Sequence, residues 1–194
     1  MWPLDHISRQ ERQLRTDVVA AYEQCIANHV IDGYVPFYGN LMFNHISGGR
    51  DRKKSIMQYE VKRMHDLLTR YIVRERDAEL CKLWRPILYG CHDEKVSKRG
   101  AAGCSRLFLP NGGAHFNFII LMRAIGTAPV NSHVKKLART LDLVGHFRDC
   151  RHLYVNDVVG RLFITPVLEG NMTGYMLKTF KHGGADWNDI VVLK

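Results

Sequence analysis

The chain has no long hydrophobic run. No stretch approaches the roughly eighteen consecutive apolar residues that a membrane-spanning helix needs. The opening Met1-Trp2-Pro3-Leu4-Asp5-His6 turns polar within a few positions, so neither a membrane span nor a secretory signal is expected. Cysteines are scarce and scattered: Cys25, Cys81, Cys91, Cys104 and Cys150 are odd in number and form no C-x-x-C pair. That pattern argues against a disulfide framework and a cysteine-built zinc site, and it implies a reducing, cytoplasmic setting. No G-x-x-x-x-G-K-[ST] loop occurs, which excludes a Walker-type motor. His6, His29, His45, His65, His133 and His146 show no H-x-x-x-H spacing, which counts against a histidine-built hydrolase centre. Repeats, low-complexity tracts and linkers are also lacking, so the 194 residues read as one domain, with residues 1–30 as an N-terminal helical extension.

What is present is basic charge and enough apolar residues for a core. At 46% hydrophobic the chain can fold, which excludes disorder. Lys and Arg outnumber Asp and Glu 28 to 19, for a net charge of +9 and a pI near 9.5. A field of that sign attracts polyanions, and nucleic-acid backbones are the commonest partner; the plainer reading is a soluble basic protein. The basic residues cluster as Arg50, Arg52, Lys53 and Lys54 after Gly48-Gly49, as Lys95, Lys98 and Arg99 in a glycine-containing loop, and as Lys135, Lys136 and Arg139 on an expected helix.

Periodicity predicts a helix over residues 8–30, where Leu14, Val18, Tyr22, Cys25, Ile26 and His29 recur at three- and four-residue steps before Asp32-Gly33. Residues 34–46 read as an aromatic-rich strand, bent or edge-like at Pro36. Residues 52–74 carry a strong amphipathic stripe through Met57, Val61, Met64 and Leu68. Short apolar residues 83–91 predict a strand, and residues 93–113 a long loop. Residues 114–122 are the clearest strand, apolar on both faces as a central strand covered by helices must be. Ser132 caps an expected helix, residues 152–167 predict a hairpin or two strands split at Gly160, and Asn171 caps a last helix reaching Lys181. The alternation implies an α+β fold with a largely antiparallel central sheet covered by helices.

Two constellations could carry chemistry. His115 and Asn117 lie two apart on the central strand and so share a sheet face; imidazole nitrogen and amide oxygen can both bind a divalent cation. A locally satisfied histidine is the plainer reading. Tyr175 and Lys178 lie three apart on the last helix, with His182 four further on, so they share a helical face. A tyrosine hydroxyl can attack a phosphodiester if a neighbouring cation or metal stabilises its developing charge. The same spacing in Tyr59-x-x-Lys62 shows that packing alone can generate the pattern.

Order separates the two tyrosines. The run His115 to Met122, followed by Val167-Leu168-Glu169-Gly170-Asn171-Met172-Thr173-Gly174-Tyr175-Met176-Leu177-Lys178, resembles the HUH endonucleases of rolling-circle replication. In that family a strand carries His-hydrophobic-His and a later helix carries Tyr-x-x-Lys; Tyr175 follows the histidine strand and Tyr59 precedes it. The resemblance covers roughly residues 34–182, and Asn117 stands where the family has its second histidine. It implies a Rep-like nuclease domain of ferredoxin or RRM-like architecture. It also implies a Mg²⁺ or Mn²⁺ ion held by His115, Asn117 and either His92 or Asp93, with Glu169 a poorer third ligand. Tyr175 would nick single-stranded or origin DNA, leaving a 5′-phosphotyrosine, with Lys178 balancing charge and a separate helicase as a possible partner. The basic residues 50–54 and 95–99 would hold phosphates. Tyr34, Phe37, Tyr38 and Phe43 are candidates to stack bases, although core packing is the commoner role of aromatics. The alternatives are a nucleic-acid-binding module without chemistry on an RRM-like fold, and a protein-binding regulator using the basic face.

Overall fold

The computed structural model describes residues 7–72, 84–93, 113–123, 154, 156–167 and 172–194. The expected helix from Ser132, most of the expected loop between Asp93 and Gly113, Glu169, and the basic residues Lys95, Lys98, Arg99, Lys135, Lys136 and Arg139 lie outside them.

Helix α1 spans Arg9–Ile31; its Ser8 cap accepts from the Glu11 amide at 3.1 Å, satisfying a donor that the first turn leaves open. Strand β1 is Tyr34–Phe43, helix α2 Arg50–Ile72, β2 Ile87–Asp93, β3 His115–Arg123 and β4 Val159–Pro166. Two short helices follow, α3 (Met172–Met176) and α4 (Lys178–Lys181), then a 3-10 turn Trp187–Asp189 and β5 (Ile190–Leu193). The five strands form an antiparallel sheet in the order β4-β1-β3-β2-β5. Strands β1 and β2 therefore run the same way, with β3 inserted between them. The apolar run of β3 is explained: it is central, and Phe116 to Met122 are all buried.

The two sheet faces are covered differently. On one, Met57, Val61, Met64 and Leu68 of α2 pack on Leu41, Phe43, Leu88, Phe116, Phe118, Ile120 and Leu162. On the other, Val19 and Ile26 of α1 and Met176, Leu177 and Phe180 of α3–α4 pack on Tyr34, Tyr89, Ile119 and Leu121. The N-terminal helix is thus one of the layers of this side. Arg15 ties it to the C-terminal segment: its guanidinium donates to the Phe180 and Ala185 carbonyls at 2.8 Å and lies over the Phe180 ring, 4.7 Å from the centroid. Among the described residues no helix is long and apolar enough to cross a membrane.

Three elements differ from expectation. Residues 159–166 form one strand with Gly160 inside it, because the pairing with β1 slips by a residue at Met42/Phe43 and a side chain at Gly160 would run into Asn44. The last helix is interrupted at Leu177, and it ends at Lys181 just before Gly183, whose φ of +75° suits glycine. Strand β5 was too short for periodicity to announce.

Candidate functional site

The register lines up a polar row across the face that carries α1, α3 and α4. Asp93 pairs with His115, His115 with Met42, and Met42 with Arg161; one pleat further along, Asn117 pairs with Asn40 and Asn40 with Phe163. Gly113, with φ of +85°, turns the chain into β3, and its carbonyl lies 2.9 Å from His115 Nδ1. A carbonyl only accepts, so Nδ1 carries a proton and Nε2 is the atom turned into the site.

Asp93 is the centre. Its side chain is 1% exposed, and Oδ2 lies 2.8 Å from Lys178 Nζ, 3.2 Å from His115 Nε2 and 2.8 Å from Asn117 Nδ2. Its other oxygen accepts from the Thr179 hydroxyl. Burial alone would push this carboxyl up, but hydrogen bonds from His115, Lys178 and Thr179 outweigh it and hold the pKa down at about 2. The lysine responds in kind: burial opposes its charge, and the bond to Asp93 together with Tyr175 raises its pKa nonetheless. Lys178 is therefore an ammonium at neutral pH, an electrostatic partner and not a base.

Tyr175 completes the group. It is 47% exposed at the edge of α3, with Lys178 Nζ 4.6 Å from its ring centroid and the Tyr38 ring 5.6 Å away in an edge-on arrangement. Tyr38 itself is buried; desolvation and the charges of Tyr175 and Asp93 raise its pKa, so its hydroxyl stays protonated. Its hydroxyl donates to Asn117 Oδ1 at 2.7 Å, as does Asn40 Nδ2 at the same distance. His182 is exposed beyond the helix end. Tyr59 is exposed on α2, the helix that packs on the opposite sheet face.

The structure thus brings together His115, Asn117, Asp93, Tyr175 and Lys178 and separates others from them. The choice between His92 and Asp93 falls to Asp93: neighbours on a strand point to opposite faces, and His92 stacks edge-on to Phe116 on the α2 side. Its burial lowers the His92 pKa to about 4, and its Nε2 makes no hydrogen bond among the described residues. The run from Arg50 to Lys54 forms the first turn of α2 and not a loop. Lys54 is not available for phosphates, since Nζ lies 2.6 Å from Asp189 Oδ2, and Arg50 donates to the Gly184 carbonyl at 3.2 Å. Arg52 is exposed and Lys53 partly so. Tyr34, Tyr38 and Phe43 are buried and present no stacking face, and Phe37 is partly buried against the core on the α2 side of the sheet, away from Tyr175. Thr179 and Asn40 belong to the site and escape sequence reasoning, and Tyr38, named from the sequence as a stacking candidate, belongs to it through its hydroxyl instead. Only Thr179, next to Lys178, carried any local hint.

An ionised carboxylate and the His115 Nε2 converge here; because Nδ1 donates to Gly113, Nε2 could ligate Mg²⁺ or Mn²⁺ only by giving up the proton it donates to Asp93. Asn117 does not fit as a ligand. An ionised carboxylate only accepts, so the amide atom facing Asp93 must be nitrogen, and Oδ1 is then filled by Tyr38 and Asn40. Among the described residues no group of three or more His, Cys, Asp or Glu side chains is arranged to hold a metal. No family model, curated protein or solved structure matches the chain.

Proposed function

We propose that the chain is a metal-dependent endonuclease that nicks and rejoins single-stranded DNA through a tyrosine nucleophile, as rolling-circle initiators do. One observation carries this reading: Tyr175 and Lys178 of α3–α4, Asp93 of β2 and His115 of β3 meet on one sheet face. A packing role for the Tyr-x-x-Lys spacing gives no reason for its lysine to lie on a buried carboxylate shared with the histidine. The strand order β4-β1-β3-β2-β5 is compatible with an RRM-like nuclease fold.

In this mechanism Asp93 and His115 would hold one Mg²⁺ or Mn²⁺, and the chemistry such an ion would supply is Lewis-acid polarisation of a phosphate oxygen. The Tyr175 oxygen attacks phosphorus, a P–O bond forms and the P–O3′ bond breaks, giving a 5′-phosphotyrosine and a free 3′-hydroxyl. The phenol gives up one proton and the 3′ oxygen gains one, so the step is balanced and its reversal rejoins the strand. Lys178 stabilises the developing phenolate from beside the ring. The helices of this face pack on β1, β2 and β3, and the flank beyond them keeps Met42 46% exposed with Arg161 exposed and Phe163 half-buried. That flank is joined by the β1–β4 pairing to Tyr38, the ring neighbour of Tyr175, and would offer a floor for the strand, with Arg161 positive toward phosphates.

The test is incubation of labelled single-stranded oligonucleotides with the chain and Mn²⁺. Nicking with a covalent protein–DNA adduct, abolished by Tyr175→Phe while DNA binding persists, is the expected result. Binding without cleavage across a broad oligonucleotide set would reject it. A second reading, a nucleic-acid-binding module without chemistry, draws support from one feature: all the lone pairs that Asp93 directs at its neighbours are already engaged by Lys178, His115, Asn117 and Thr179.

A further inference from the structure

Next to the nucleophile sits a second tyrosine that the proposed reaction leaves unused. Tyr38 cannot be an attacking group: it is buried, and its proton is given to Asn117 Oδ1 at 2.7 Å. With that proton committed, its oxygen offers only lone pairs to the neighbour whose ring meets it edge-on at 5.6 Å, Tyr175. Asn117 is 0% exposed and fixed at both ends, its oxygen saturated by Tyr38 and Asn40 and its nitrogen donating to Asp93 Oδ2 at 2.8 Å.

We infer that Tyr38 and Asn117 are positioning residues: a one-way chain of hydrogen bonds, anchored on the Asp93 carboxylate and passing through Asn117 and Tyr38, holds the hydroxyl of Tyr175, and Asn117 is not a metal ligand. The inference rests on the nicking reading for its purpose but not for its geometry. It explains why a carboxamide occupies the third position of β3, two residues beyond His115. The bridge needs one atom that donates to a carboxylate and another that accepts from a phenol, and a carboxylate there could do only the second. It also makes the attacking oxygen a fixed point relative to the Asp93–His115 pair, which is what an in-line attack requires.

The experiment uses the whole chain with tyrosines labelled at ¹³Cζ, a resonance sensitive to hydrogen bonding at the phenol oxygen, and Mn²⁺ as the titrant. Tyr38→Phe keeps the ring and deletes the hydroxyl. It should move the Tyr175 resonance while Tyr59→Phe does not. Mn²⁺ affinity should stay within about twofold, and in a nicking assay kcat should fall about tenfold or more with KM nearly unchanged. Asn117→His, which restores an imidazole, should not tighten Mn²⁺ binding, and Asn117→Asp, which puts two carboxylates face to face, should move the Tyr175 resonance as Tyr38→Phe does. An unmoved Tyr175 resonance in Tyr38→Phe, or about tenfold tighter Mn²⁺ binding in Asn117→His, overturns the inference. If the wild-type chain does not nick, the nicking reading fails by itself, and the resonance and Mn²⁺ measurements still decide this one.

Discussion

Replacing Asp93 with asparagine isolates the charge at the centre of the site. The substitution is nearly isosteric, and the amide has a satisfactory orientation: its oxygen toward Lys178, His115 and Asn117, its nitrogen toward the Thr179 hydroxyl, which can turn to accept. What is lost is the ionised carboxylate. The folded pKa of about 2 against an ordinary 3.8 corresponds to roughly 2 kcal/mol of stability. The sign follows from the depression: the contribution is fully present above the unfolded value near 3.8 and is lost as pH falls through about 2. Asp93→Asn should therefore lower the free energy of unfolding by about 2 kcal/mol at neutral pH, a fall in Tm of roughly 4–8 °C for a chain of this size. Asp93→Ala, which takes the acceptor from a half-buried ammonium and a buried hydroxyl, should cost more, about 3 kcal/mol. The assay is urea denaturation of wild type and both variants in chelator, from pH 7 to pH 2. The gap between wild type and Asp93→Asn should close toward the acid end. A gap below about 0.5 kcal/mol at pH 7, or one that does not change with pH, would falsify the assignment of Asp93 as the ionised hub.

Other outcomes follow from the packing. Lys54→Met should cost about 3 kcal/mol in denaturant melts by leaving the buried Asp189 carboxylate without its cation and with the Asp186 amide as its remaining donor among the described residues. It should leave oligonucleotide affinity within about twofold; weakened DNA binding with unchanged stability would mean that Lys54 serves phosphates after all. Gly39→Ala puts a methyl group into the Phe118 ring across the β1–β3 pair and should destabilise by about 1–3 kcal/mol, whereas a neutral result would show that this ring can move aside. His92→Phe should raise stability at pH 7 by about 1 kcal/mol, since it removes a buried nitrogen that has no partner among the described residues. It should also remove an acid sensitivity: with the folded pKa near 4 and the ordinary value 6.5, the wild type loses stability as pH drops from 6.5 through 4. Equal pH profiles for wild type and His92→Phe over that window would count against a buried, neutral His92.

The sequence by itself determined what depends on neighbours a few residues apart. The stripe Met57, Val61, Met64, Leu68 specified α2 because a helix repeats within four residues, and the two-faced apolar run of β3 specified a central strand. The His115 strand and the Tyr175 helix were readable in their order because each announces itself locally, whereas the preference for Tyr175 over Tyr59 rested on the resemblance to a family's motif order and not on local pattern. The tertiary structure alone decided whatever depends on pairing between distant segments. Whether His92 or Asp93 turns toward His115 is a matter of parity, fixed only when β2 registers on β3. Lys54 looked like a free cation until Asp189, far along the chain, folded against it. Asn117 had the composition of a metal ligand. Its role turned on which end of a carboxamide faces an ionised Asp93, and on Tyr38 and Asn40 of β1 filling the other end. Hydrogen-bond direction is a property of assembled partners, and no local pattern encodes it.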